Sequence, residues 1–446
     1  MKKFFLALLL ILSFSAISYS QSLEVKTHNL KNGMKILVHE DHSIPNAAMY
    51  TFYRIGSRNE RPGTTGLSHF FEHMMFNGAK KYGPGEFDRV MEANGGTNNA
   101  YTSRNLTVYQ DWFPVSQLEL IFDLEADRIA SLSIDPKIVE SERGVVYSER
   151  RNSVESNNLA ILDEQLWATA YTAHPYQWPV VGWPSDIESW SLQDLQKHFE
   201  SGYSPSNATL VVTGNVAFDE VVKLAEKYLE PIKAHEPPAK VTTSEPEQLG
   251  ERRSRVEKLA QVPAIAIAYH VSATNSPEYY PIKVLENILF IGQSSRLYKR
   301  LVDQDELVLS IEGGTDFDID STLFTFYAQI QPGIETEKME KALYEELEKI
   351  KTQGITEEEL KKAKNILLVN FYARLKTIAG KANTIGTYEV FFGDYKKLLS
   401  APDDFAKVTV EDVKKIAQKY FTSRNRTVIT LVPVSEQSQQ AQENKN

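Results

Sequence analysis

The strongest constraint on how this chain can fold is that its second half repeats the pattern of its first. Helical periodicity from Ser191 to Ser201 leads into the apolar run Ala208 to Thr213, and the same order returns with Thr409 to Lys419 followed by Thr427 to Val432. Adding 218 carries Asp194 to Asp412, Lys197 to Lys415, Asn207 to Asn425 and Thr209 to Thr427, and also Pro45 to Pro263 ahead of an apolar strand. Five coincidences at one offset point to duplication rather than chance. At 446 residues the chain exceeds one ordinary core, so each copy is expected to form its own domain.

Each copy reads as mixed α+β. Strand-like alternation in Met34 to His39 and Ala47 to Arg54 gives way to helical stretches at roughly 65–80, 115–131 and 136–155. Residues 235–253 are rich in Pro, Glu, Lys and Ser and predict a linker between an N-terminal domain, 21–234, and a C-terminal domain, 254–435. The polar stretch 436–446 predicts a disordered tail.

The first twenty residues carry the parts of a secretory signal. Lys2 and Lys3 precede an apolar stretch from Phe4 to about Ile17, and the small residues Ser18 and Ser20 flank Tyr19. Cleavage after Ser20 and export are expected, with a bacterial periplasm as the destination. The apolar stretch is shorter than the roughly 20 residues that span a bilayer, so no membrane anchor is expected in the mature chain. A formal charge of -10 argues against a nucleic-acid partner. The chain has no cysteine, so a metal would have to be held by histidine and carboxylate.

Residues 66 to 73 read Gly-Leu-Ser-His-Phe-Phe-Glu-His, in a segment compatible with a helix. Four residues apart on a helix, His69 and His73 share a face, with Glu72 beside the second. A histidine pair alone is usually incidental. With an adjacent glutamate the spacing becomes that of an inverted zinc-peptidase motif, in which a carboxylate takes the proton of a water acidified by the metal. A catalytic zinc site needs a third protein ligand, and the helical stretch after Pro136 offers Glu142, Glu149 and Glu155. Glu142 and Glu149 are seven apart, about two turns, and share a face.

The run from Gly66 to Met74, then Gly95 to Thr102, then Glu142 to Glu149, then His174-Pro175-Tyr176, resembles the pitrilysin/insulinase family of metallopeptidases, which includes the mitochondrial processing peptidases. That resemblance implies one zinc ion held by His69, His73 and Glu149, with Glu72 as general base and Glu142 as a supporting acid. It also implies that peptide substrate is laid along an edge strand at Asn99 and Ala100. The implied fold is two homologous halves, each of related α/β units with mostly antiparallel sheets flanked by helices, closing as a clam-shell chamber. His174 is read as a turn or packing residue.

The second copy departs from the motif. The offset lands His69 on Asn287, Glu72 on Phe290 and His73 on Ile291, so no second metal site is expected. An Arg and a Tyr that family members often carry in a non-metal half would fall at Val302 and Leu309, and are missing. A homologous zinc-free subunit supplying them, in a heterodimer, is therefore expected, with a homodimer as the other arrangement. The resemblance also leaves a second function open, a noncatalytic assembly subunit like the core proteins of respiratory complexes.

Overall fold

A computed structural model describes residues 23–434, and the expected signal segment and polar tail lie outside the described residues. The first half is built on a six-stranded sheet in the order β1 (Lys26–Asn29), β2 (Lys35–Glu40), β6 (Ala208–Gly214), β3 (Asn46–Tyr53), β5 (Thr107–Pro114) and β4 (Thr97–Thr102). The second is five-stranded: β7 (Arg252–Leu259), β11 (Arg426–Val434), β8 (Ala264–Val271), β10 (Thr322–Ile330) and β9 (Val308–Gly314). Each sheet is antiparallel apart from one parallel pair, β2 with β6 and β7 with β11. Thus the α/β units of a half pool their strands in one sheet, β4 and β9 end their sheets, and β1 has no counterpart among the described residues of the second half.

The duplicated residues turn out to be matched structural hooks. Ser191 and Asp194 form a capping box that starts one helix, and Thr409 and Asp412 form another. The Asn207 amide donates to the carbonyl of Gly202 at 2.8 Å, and that of Asn425 donates to Tyr420 at 2.9 Å. The carbonyls of Pro45 and Pro263 accept from Val115 and Ile330 at 3.1 and 2.9 Å. These bonds satisfy backbone groups at element ends, and in the capping boxes and the asparagine pair they depend on the repeated side chain itself.

Helices of the first half are α1 (Leu67–Met74), α2 (Glu86–Ala93), α3 (Leu118–Ser131), α4 (Pro136–Arg150), α5 (Asn158–Ala170), α6 (Pro184–Ser189), α7 (Leu192–Gly202) and α8 (Phe218–Tyr228). Those of the second are α9 (Tyr279–Phe290), α10 (Thr336–Gln353), α11 (Glu357–Arg374), α12 (Ile378–Phe391), α13 (Lys397–Lys407) and α14 (Val410–Tyr420). Several pack on strands of their own sheet, whereas two cross to the sheet of the other half. Helix α5 lays Leu162, Leu166, Trp167 and Ala170 on Ala264, Ala266, Ala268, Ile429 and Leu431 of the second sheet. Helix α12 lays Ile378, Ala382 and Ile385 on Leu37, Ala48, Phe52 and Val211 of the first. The two helices are counterparts at nearly the same offset, so the halves are exchanged across each other's sheets.

Polar contacts reinforce this exchange. Asp320 of the second half accepts from His174 at 3.1 Å and pairs with Arg58, while Asn105 donates to Asp318 at 2.6 Å. His174 thus has the packing role expected of it. The linker is also tied down. Residues 233–249 hold no helix or strand, yet the Glu245 carboxylate accepts from the backbone amides of Thr172, Ala173 and His174. Arg252 and Arg253, read as the end of the linker, already belong to β7. Composition marks this stretch as a linker, but periodicity cannot show that one of its acids has three amides to meet.

Candidate metal centre

Helix α1 is short because its ends are strongly marked. Gly66 precedes it in the left-handed region at φ 89°, and Gly78 at φ 102° follows shortly after it, so the expected helix at 65–80 is cut to 67–74. The Glu60 carboxylate, fully buried, accepts from the amides of Gly66 and Ser68 at 2.7 Å each. Burial pushes Glu60 up to about 8 against those two amide bonds. Along the body of the helix, the hydroxyls of Tyr203 and Tyr109 donate to the carbonyls of Ser68 and Phe71 at 3.0 and 2.9 Å. A helix of two turns could not hold a fixed axis alone, and these side chains supply the constraint.

Helix α4 starts with Asp135 as N-cap and Pro136 in the first turn, and it packs directly against α1. This contact brings together the residues singled out by sequence. His73 Nε2 lies 3.2 Å from Glu149 Oε2, and His69 Nε2 lies 3.6 Å from the same oxygen. The candidate ligand atoms of His69, His73 and Glu149 all fall within 4.8 Å of one another. Two ligands each about 2.1 Å from a zinc ion at a tetrahedral angle stand about 3.4 Å apart, and the two separations from Glu149 match that value. Glu142 sits behind His73: the ring donates from Nδ1 to Glu142 Oε1 at 2.8 Å, which turns Nε2 toward Glu149.

Electrostatics follow from the crowding of two imidazoles and two carboxylates. Burial disfavours the His73 imidazolium, but bonds to Glu142 and Glu149 outweigh it and push His73 up to about 9. Hydrogen bonds from His69 and His73 hold Glu149 far below the ordinary carboxylate range. The bond from His73 likewise lowers Glu142. These carboxylates are ionised at neutral pH and favour a cation between the imidazoles.

Glu72 is part-buried beside His73, and its carboxylate enters none of the ion pairs that hold Glu142 and Glu149. Asn99 and Ala100 lie on β4, hydrogen-bonded to β5 on one side only and in contact with α1, with Asn99 exposed. The third candidate acid, Glu155, lies beyond the end of α4 and faces Arg150 at 3.6 Å instead. Two supporting residues were not singled out by sequence. Asn77 donates to Glu142 Oε2 at 2.8 Å, and its position one turn after His73 was the available signal. Glu60, nine residues before His69, carried no periodic signal.

Matches to known proteins follow the two halves. Residues 35–182 match the family model for insulinase (peptidase family M16), and residues 189–367 match the peptidase M16 inactive domain. A zinc protease, PqqE, of Helicobacter pylori is 30% identical, over 96% of this chain and 98% of its own length. The chain belongs to the M16 peptidase family. The crystal structure of a protease from H. pylori superposes with a TM-score of 0.89 at 30% identity, covering 92% of this chain and 99% of that one. The periplasmic protease PqqL of Escherichia coli shares the fold at a TM-score of 0.74 and 17% identity, with 95% of this chain covering 50% of that one. The two-domain α+β architecture is therefore that of M16 peptidases. No helix among the described residues is long and apolar enough to cross a membrane.

Proposed function

We propose that this chain is a zinc-dependent endopeptidase, with His69, His73 and Glu149 as ligands of one zinc ion and Glu72 as general base. The observation that carries this reading is the convergence of three ligand atoms from two separate helices at the spacing of a tetrahedral site. Zinc bound there supplies Lewis acidity and a water of lowered pKa. Glu72 takes a proton from the attacking water and passes it to the departing amine nitrogen. Glu142, itself held by Asn77, keeps the His73 ring in one tautomer. A peptide or unfolded segment adds to the open edge of β4 near Asn99 and Ala100, where main-chain bonds bring affinity with little sequence preference.

The same reading includes a partner. The side chains of Val302 and Leu309 offer no donor for a developing oxyanion, and nearby Arg296 and Arg300 are engaged by Glu359 and Asp305. A zinc-free homologous subunit, or a second copy, would complete the chamber. The signal-like segment at the N-terminus supports export to a periplasm.

The deciding experiment measures zinc by elemental analysis and follows cleavage of a quenched peptide library by the chain, alone and with related chains from its source. One zinc per chain with hydrolysis abolished by Glu72→Gln is expected. A chain that takes up no zinc and cleaves nothing in any combination would overturn the reading in favour of an assembly subunit.

A further inference from the structure

Arg150 follows Glu149 on α4, and its guanidinium is buried where three pieces of the structure meet. Two of its nitrogens form a bidentate pair with Glu164 of α5, at 2.9 and 3.1 Å. One of them also donates to the carbonyl of Gly182 at 2.9 Å. Gly182 belongs to a turn pressed against the start of α1: a Cβ on Gly182 would lie 2.5 Å from the carbonyl oxygen of Thr65, and one on Gly66 would lie 2.5 Å from that of Val181. This turn cannot move toward α1 without displacing Thr65 and Gly66, and the Trp183 amide, which donates to the Thr65 hydroxyl at 3.0 Å, ties it against moving away. Helix α5, on the other side, is seated on the sheet of the second half. A single side chain joins the carboxylate helix, the entry to the histidine helix and the element exchanged between halves.

The link between α4 and α5 is correspondingly short and fixed. Residues Arg151–Glu155 form one π-helical turn, a form that often occurs at functional positions. The Glu155 carbonyl accepts from Lys258, and Asn158 donates to the carbonyl of Leu259 at 3.2 Å, both on β7 of the second half. A change in how the second half sits against α5 can reach Glu149 through the seven residues 151–157 and one ion pair. Bidentate arginine–carboxylate pairs are stiff in orientation as well as strong, which suits them to transmit displacement.

We propose that Arg150 is a positioning residue that makes the geometry of the His69, His73 and Glu149 site depend on the seating of α5 against the second half. The proposal rests on the metal-site reading above. Its test is zinc affinity, read by competition with a chromophoric chelator, together with thermal unfolding of each metal-free protein. Arg150→Lys and Glu164→Gln are expected to weaken zinc binding by about 10- to 100-fold, the range for residues that orient metal ligands. Leu166→Ala, on the buried face of α5 and away from the ligands, is expected to weaken zinc binding in the native background but to add nothing to Arg150→Lys. A merely structural role would lower the unfolding temperature and leave the affinity of the folded protein unchanged. That result for Glu164→Gln, the variant that changes shape least, overturns the proposal, as does a full additional loss from Leu166→Ala on top of Arg150→Lys. A native chain that binds no zinc overturns the metal-site reading instead, and is recognised before any variant is made.

Discussion

The same pair of helices occurs twice in this molecule with opposite chemistry. In the first half α1 packs on α4 and presents His69, Glu72, His73, Glu142 and Glu149. In the second, α9 packs on α11, and the offset places Asn287, Phe290, Ile291, Leu360 and Leu367 at those positions. Phe290 packs on Phe324 and Phe326, and Leu360 and Leu367 join the same apolar cluster. The second half therefore uses the helix pair to close a core, while the first spends the same contact on ionisable groups that oppose burial. Fold and site are separable here, because the scaffold tolerates either set.

Grafting second-half residues into the first half should break the site, with the largest effect at the carboxylate ligand. Glu149→Leu is expected to leave no stoichiometric zinc by elemental analysis and no detectable peptide hydrolysis; retained zinc would mean that a different acid completes the site. Glu72→Gln should keep zinc while turnover falls by about 10²- to 10⁴-fold, the range of general-base catalysis, in assays on a quenched peptide. Glu142→Leu should weaken zinc binding by about 10- to 100-fold in a chelator titration, because the His73 ring loses its acceptor.

Titration sharpens the comparison further. In the metal-free protein His73 is raised from 6.5 to about 9, so its pairing stabilises the fold fully below pH 6.5, and that contribution is lost as pH rises through about 9. The stability gap between the metal-free native chain and His73→Asn should close across that window, and zinc, which competes with the same proton, should bind more tightly across it. Chemical denaturation at stepped pH checks the first, and zinc titration the second. The smallest effect on the site is expected from the other half. Leu360→Ala should cost about 2–5 kcal/mol of stability by denaturant unfolding, with zinc content unchanged.

Much of the site was legible because its parts follow helical spacing. His69 and His73 are one turn apart, and Glu142 and Glu149 two turns apart, so each pair had to share a face once its helix formed. The hooks at Asp194 and Asp412, or Asn207 and Asn425, were legible as repetition before their bonds were known. What the sequence could not carry was direction between elements. The apolar stripe Leu162, Leu166, Trp167 and Ala170 looks the same whether α5 covers its own sheet or the other one. Glu60 and Arg150 were invisible for a related reason: each acts on an element remote in sequence, and nothing periodic marks such a residue.

The exchange of α5 and α12 has a consequence for how this polypeptide can be divided. Two fragments separated within the exposed residues Glu236 and Pro237 would each carry a helix whose apolar stripe fits only the other fragment's sheet. Expressed apart, each should aggregate or be degraded. Expressed together they should reassemble into a single nicked particle, interlocked like clasped hands rather than merely touching.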